Sequence, residues 1–217
     1  MQNGAPLAMK YELIVFDMDG TLTFDALDFD TLRKELGLQV RHPILECIDT
    51  LGPNERQQAW ETLHRHEAVA AEKCQLRPGA EQVLERLRRR GLKTALLSRN
   101  SQRSVETVLR RYPIFFDHIA SRDKAPIKPA GESLLRICRA LRISAEKTLM
   151  VGDYVFDLQV ATNAGTHSVL LVEPESTLPY FAQQATYLIR KLEDIGLLVA
   201  APEEFLNTTT LAEATKR

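Results

Sequence analysis

Asp17 and Asp19 stand two residues apart, directly after the apolar run Leu13-Ile14-Val15-Phe16 and directly before Gly20-Thr21. Alternation along a strand sends both carboxylates to the same side. Like charges so close repel unless a cation sits between them or one keeps its proton. Either outcome is chemistry rather than packing. Asp19-Gly20 by itself also reads as a turn at a strand end. The full string after a buried strand points further, because other apolar runs also end in polar groups. Ser98 ends the run from Lys93, and Lys128 follows a strand near His118 to Ser121. Asp153 and Asp157 follow Thr148-Leu149-Met150-Val151.

These residues meet only if the elements place them at one edge. From Pro78 onward the pattern alternates helix and strand. Pro78-Gly79 opens a helix through Val83, Leu84 and Leu87 that Gly91 ends. Ser101 or Ser104 starts a second, Gly131 to Leu141 reads as a third, and Val155 to Ala164 as a fourth that Gly165 stops. Strands are predicted over 11–18, Lys93–Ser98, near His118–Ser121, over Thr148–Val151 and over Ser168–Val172. Such alternation implies parallel pairing with right-handed crossovers and helices on both faces. The fold predicted is an α/β, Rossmann-like, doubly wound parallel sheet, whose ligands bind beyond the carboxyl ends of the strands. Between the first strand and Pro78 the chain turns helical. Asp28 or Asp30 caps a helix that Gly37 ends, Pro43 begins a second, and Pro53 begins a third carrying Trp60, Leu63, Glu67 and Ala71. The predicted organisation is a core of residues 1–23 and 77–217 with a helical insert, a cap, over 24–76.

The strand ends then supply carboxylates, one hydroxyl and one ammonium. Oxygen ligands without soft donors suit Mg²⁺, which binds alongside substrate phosphate. The hydroxyl and ammonium suit phosphate oxygens. A carboxylate facing a phosphoryl group can act as a nucleophile and form an acyl-phosphate.

Asp17-Met18-Asp19-Gly20-Thr21, the strand-end Ser98, Lys128-Pro129, and Gly152-Asp153-Tyr154-Val155-Phe156-Asp157 occur in an order that resembles the haloacid dehalogenase superfamily of phosphotransferases. The likeness to phosphoglycolate phosphatases, with a small helical cap, runs from about residue 12 to 172 outside the insert. The resemblance implies that Asp17 attacks phosphorus and binds Mg²⁺ through its other oxygen. It implies that Asp19 binds the metal through its backbone carbonyl and carries the proton, and that Asp153 completes the metal shell. Ser98 would hold phosphate oxygens, Lys128 would neutralise charge, Asp157 would support the metal site, and Thr21 would fix the loop. Plainer readings stand beside these: Ser98 as a helix cap, Lys128 as an exposed lysine, Asp157 as a first-turn helix acid. Two positions depart from the family pattern. Arg99 separates Ser98 from Asn100, which leaves open the group that meets phosphate there. Tyr154 follows Asp153 where a small residue is usual, so a ring partly shields the metal loop.

The implied activity is hydrolysis of a small-molecule phosphate monoester. Competing readings are a phosphosugar mutase, a dehalogenase and an inactive binding member of the fold. A short cap favours an open site and hydrolysis, and Arg41, His42, His64 and Arg65 are its candidate substrate contacts, the first two lying at a helix break. A formal net charge of −1 gives no case for nucleic acid or an anionic membrane as partner. The Arg86, Arg88, Arg89, Arg90 run reads as a solvated helix terminus. Cys47, Cys74 and Cys138 are widely spaced, without a Cys-x-x-Cys, which predicts a reduced cytoplasmic setting. Met1 to Ala8 reads as a leader without a secretory pattern. A monomer or weak homodimer is expected.

Overall fold

The computed structural model describes residues 10–38 and 42–202. Six strands form one parallel sheet: β1 (Leu13–Phe16), β2 (Lys93–Leu97), β3 (His118–Ala120), β4 (Thr148–Gly152), β5 (His167–Leu171) and β6 (Tyr187–Ile189), in the order β3-β2-β1-β4-β5-β6. β1 lies between β2 and β4, with Phe16 opposite Leu96 on one side and Val151 on the other. The central strands are buried on both faces, and so their sequences are continuously apolar rather than alternating.

Neighbouring residues of β1 serve opposite faces of the sheet. Ile14 and Phe16 pack with Val83, Leu84 and Leu87 of α4 (Ala80–Arg89) and with Val105 and Val108 of α5 (Gln102–Arg111). Leu13 and Val15 pack with Leu134 and Ile137 of α6 (Gly131–Leu141) and with Val160 and Ala161 of α7 (Val155–Ala164). The sheet is therefore doubly wound, as its alternating pattern implies.

A helical insertion follows β1. It contains α1 (Phe29–Glu35), capped by the Asp28 carboxylate accepting from Thr31 N–H at 3.0 Å, then α2 (Ile44–Thr50) and α3 (Pro53–Lys73). Leu32, Ile44, Leu45, Ile48, Ala59 and Leu63 close a small core of its own. At about 1.5 Å per residue, α3 is roughly 31 Å long. It reaches from that core down to α5, where Arg111 donates to the Ala71 carbonyl at 2.7 Å. The chain leaves and re-enters through paired stalks: Phe24 N–H donates to Gln75 O at 2.9 Å, and Arg77 N–H to Leu22 O at 2.8 Å.

Several expectations change in detail. The strand read over 11–18 covers only Leu13–Phe16, because the chain turns at Met18, whose carbonyl accepts from Leu22 and Thr23. β6 and α8 (Asp194–Leu198) extend the sheet and its cover beyond Val172; three and five residues are too few to show a period. The basic run at the end of α4 is not wholly solvated: Arg90 donates to Gly196 O at 2.7 Å, while Arg88 and Arg89 pair with Glu85 in solvent. The leader Met1 to Ala8 and Arg41 lie outside the described residues. Among the described residues no helix is long and apolar enough to cross a membrane.

Candidate active site

Beyond the carboxyl ends of β1, β2 and β4, between sheet and insertion, lies a cavity of about 420 Å³. Asp17, Asp19, Ser98, Arg99, Asn100, Lys128, Asp153 and Asp157 all line it. One ligand oxygen from each of Asp17, Asp153 and Asp157 lies within 4.8 Å of the others. Lys128, 2% exposed, reaches this spot from the loop after β3 and donates to Asp17 and, at 2.6 Å, to Asp157. A lysine so buried is seldom found unless paired, which removes the exposed-lysine reading.

The backbone makes room for the carboxylates. Gly20 has φ +77°, and a Cβ there would stand 2.2 Å from an Asp153 oxygen. At Gly152 a Cβ would stand 2.1 Å from the Asp157 carboxyl carbon. Both positions need glycine for close approach. Thr21 donates its hydroxyl to Asp153 Oδ1 at 2.9 Å, tying the first loop to the fourth strand end. Asp157 also accepts from Tyr154 N–H at 3.1 Å, so it is a first-turn helix acid and a lysine partner at once.

Burial pushes the Asp17 carboxyl well above the usual carboxylate range; Lys128 pulls it back only in part. Burial likewise brings Asp153 to about 7, with the neighbouring Asp157 charge adding to it. Burial works against the Lys128 charge too, but Asp157 and Asp17 overcome it and hold that ammonium above its ordinary value. The cluster thus has more carboxylate than one ammonium balances. A hard divalent cation fits this all-oxygen donor set and would return Asp17 and Asp153 to their charged forms. Asp19 lies outside the trio. Burial raises its carboxyl to about 6, and Asn100 donates to it at 2.5 Å. Two neighbouring aspartates therefore sit in different environments: Asp17 faces the acidic cluster, whereas Asp19 holds an amide.

A family model for haloacid dehalogenase-like hydrolases matches residues 11–165. The chain belongs to this family. It is 34% identical over 165 residues to an uncharacterized hydrolase of Saccharomyces cerevisiae, covering 73% of this chain and 76% of that one. It is 28% identical over 187 residues to a phosphoglycolate phosphatase of Pseudomonas savastanoi pv. phaseolicola, covering 74% and 69% respectively. Among solved structures, a subfamily IA hydrolase of this superfamily from Geobacter sulfurreducens superposes with a TM-score of 0.62 at 19% identity, covering 88% of this chain and 98% of that one.

For this haloacid dehalogenase-like hydrolase, the two departures from the family pattern acquire a geometry. Arg99 turns away from the carboxylate trio. It donates to both Glu46 oxygens on α2 at 2.8 Å and to the Lys128 carbonyl, and its guanidinium stacks 4.3 Å from the Phe156 ring centroid. Asn100, one position later, is the side chain that reaches Asp19. Ser98 Oγ accepts from Asn100 N–H at 3.1 Å, shaping that turn; α5 is capped by Ser101 instead. The helix-cap reading of Ser98 therefore falls. Tyr154 lines the cavity, half exposed, with its ring edge on Phe156 and Phe181.

The insertion contributes unevenly. His42 lines the cavity. Arg65 does not: it pairs in solvent with Glu35 at 2.5 Å. His64 sits instead in a second cleft, beside Trp60 and Arg122. Sequence reasoning missed Arg33, which lines the cavity from α1, and the buried pair of Glu67 on α3 with Arg122 after β3. A single arginine in a polar helix face gives no signal. The Glu67 signal was present, an acid on the apolar stripe of α3, but its partner is 55 positions away.

Proposed function

We propose that this hydrolase is a Mg²⁺-dependent phosphomonoesterase acting on a small phosphate ester through an aspartyl-phosphate at Asp17. The observation that carries the reading is the convergence of Asp17, Asp153, Asp157 and Lys128 at the strand ends, with Asp19 held apart on Asn100. The likeness to a phosphoglycolate phosphatase supports the same class of reaction.

Asp17, Asp153 and the backbone carbonyl of Asp19 would hold Mg²⁺, which would supply the positive charge that lets an anionic carboxylate approach an anionic phosphoryl group. Asp17 attacks phosphorus as the ester P–O bond breaks, and Asp19 gives its proton to the departing oxygen. Asp19, now a carboxylate, takes a proton from water as that water attacks the aspartyl-phosphate. The bond to Asp17 breaks, and inorganic phosphate leaves. Ser98, whose Oγ accepts from Asn100 N–H, would donate its own hydroxyl to a phosphate oxygen, and Lys128 would neutralise charge on Asp17 and the phosphoryl group. Asp157 acts through Lys128, which it positions. Residues 24–76 serve as the cap, hinged at the paired stalks, and exclude water from the cavity.

A panel of phosphate esters and pyrophosphate, with free phosphate as the readout, tests this reading. Phosphate release that needs Mg²⁺ and stops with complete chelation is expected. Full activity after chelation would remove the metal assignment, and isomerised sugar phosphate without phosphate release would move the protein to the mutases.

A further inference from the structure

Three arginine or lysine side chains line the cavity among the described residues: Arg33, Arg99 and Lys128. Two of them are neutralised within the protein. Lys128 holds Asp17 and Asp157, and Arg99 holds both oxygens of Glu46 at 2.8 Å. Arg33 on α1 differs. Its ion-pair partner among the described residues is Asp30, 4.0 Å away, with a side chain 79% exposed to water. Its Nε–H is buried and has no acceptor among the described residues. The Phe29 ring centroid lies 5.5 Å from the guanidinium carbon and contributes only a cation–π contact. A charged donor left buried without an acceptor is costly, and a site that keeps one gains most when a ligand brings the acceptor.

The surroundings of Arg33 narrow what that ligand can be. The insertion lines the same cavity with Leu27, Phe29, Ile44, Leu45 and Leu63; its two acids there are Glu67, which Arg122 holds, and Asp25, while the other acids and the phosphate-binding groups belong to the strand ends. A cavity with a phosphate end, an apolar wall and an unsatisfied guanidinium matches an ester whose leaving alcohol carries its own oxyanion.

We propose that Arg33 receives a second oxyanion, a carboxylate or a second phosphate, on the leaving alcohol of the substrate, beyond an apolar spacer. The inference rests on the phosphatase reading and names its substrate class: doubly anionic phosphate esters. Arg33 is a specificity-determining residue that binds the leaving group; it takes no part in the bond changes at phosphorus.

The test compares three ester series of matched length with Mg²⁺: n-alkyl phosphates, ω-carboxyalkyl phosphates and α,ω-alkane bisphosphates. The parent enzyme is expected to prefer the carboxylate or the bisphosphate over the plain alkyl ester at its best length by about tenfold or more in kcat/KM, mostly through KM. Whichever anion gives the larger ratio identifies the source. In Arg33→Met that ratio collapses toward one, and in Arg33→Lys, which keeps the charge but loses the fork, it falls partway. Equal turnover of all three series by the parent at every length overturns the inference whatever the variants do, and so does an Arg33→Met enzyme that keeps the ratio. No turnover of any ester by the parent is a different result: it removes the phosphatase reading, and this inference with it.

Discussion

At the scale of single residues the site is an electrostatic balance. Asp17, Asp153 and Asp157 crowd one point, and one buried ammonium answers them. Lys128→Met removes that answer while keeping the stem's volume. Breaking a buried pair leaves uncompensated charge, so the variant should lose about 3–5 kcal/mol of stability at neutral pH by denaturant unfolding. Burial already makes Asp17 hold its proton more tightly folded than unfolded, and without Lys128 nothing pulls it back. The loss should therefore shrink as pH falls and that carboxyl is neutralised. A loss that is equal at acidic and neutral pH would contradict this. Much of the balance is legible in the sequence, because Asp17, Asp19, Ser98, Asp153 and Asp157 all follow apolar strands and a parallel sheet brings strand ends together. Arg33 and the Arg99–Glu46 pair are not legible. A lone arginine has no period, and Arg99 meets a partner 53 positions earlier only after the insertion has folded back.

Between elements, the insertion is fastened to the sheet domain by charge as well as by its stalks. Arg122, after β3, holds Glu67 of α3 through two hydrogen bonds, with both side chains about 5% exposed or less. Its guanidinium also lies 5.1 Å from the Trp60 ring centroid and donates to Arg99 O at 3.0 Å. Glu67→Ala should destabilise the protein by about 3–5 kcal/mol, since Arg122 stays buried without its carboxylate. A double-mutant cycle with Arg122→Ala should recover much of that loss; additive losses would show that the pair is not coupled. Within the insertion, Ile48→Ala empties a fully buried site in a small core and should cost about 2–5 kcal/mol. Hydrogen exchange should report that loss first in α1 to α3, because the core of the insertion is separate from those of the sheet. The three helices of the insertion are readable from their caps and prolines. Their docking is not, because it depends on polar pairs between segments far apart in sequence.

For the molecule as a whole, the same acid cluster ties stability to pH. Burial raises the carboxyls of Asp17, of Asp19 (to about 6) and of Asp153 (to about 7) above their unfolded values. The folded, metal-free protein therefore binds more protons than the unfolded chain between about pH 4, the ordinary aspartate value, and about pH 7. Its stability should fall as pH rises through that window, and Mg²⁺ should restore it most at the upper end. A chelated protein that gains stability from pH 4 to 7 would refute the assignment. Hydrophobic support comes from the two faces of the sheet, and its pattern was clear in the sequence for five strands. Leu96, fully buried on the middle of β2, should cost about 2–5 kcal/mol as Leu96→Ala in global unfolding. β6 and α8 lay beyond what pattern could show, since they complete an edge rather than span it.

The central claim is that Asp17 carries the phosphoryl group between substrate and water. Acid quench of the enzyme during turnover of p-nitrophenyl phosphate with Mg²⁺, followed by mass analysis of its peptides, tests it most directly. One added phosphoryl group is expected on the peptide containing Asp17, lost on mild alkaline treatment, and absent with turnover abolished in a folded Asp17→Asn variant. Phosphate release at the parent rate by Asp17→Asn, or a phosphoryl group trapped at any other residue, would contradict it.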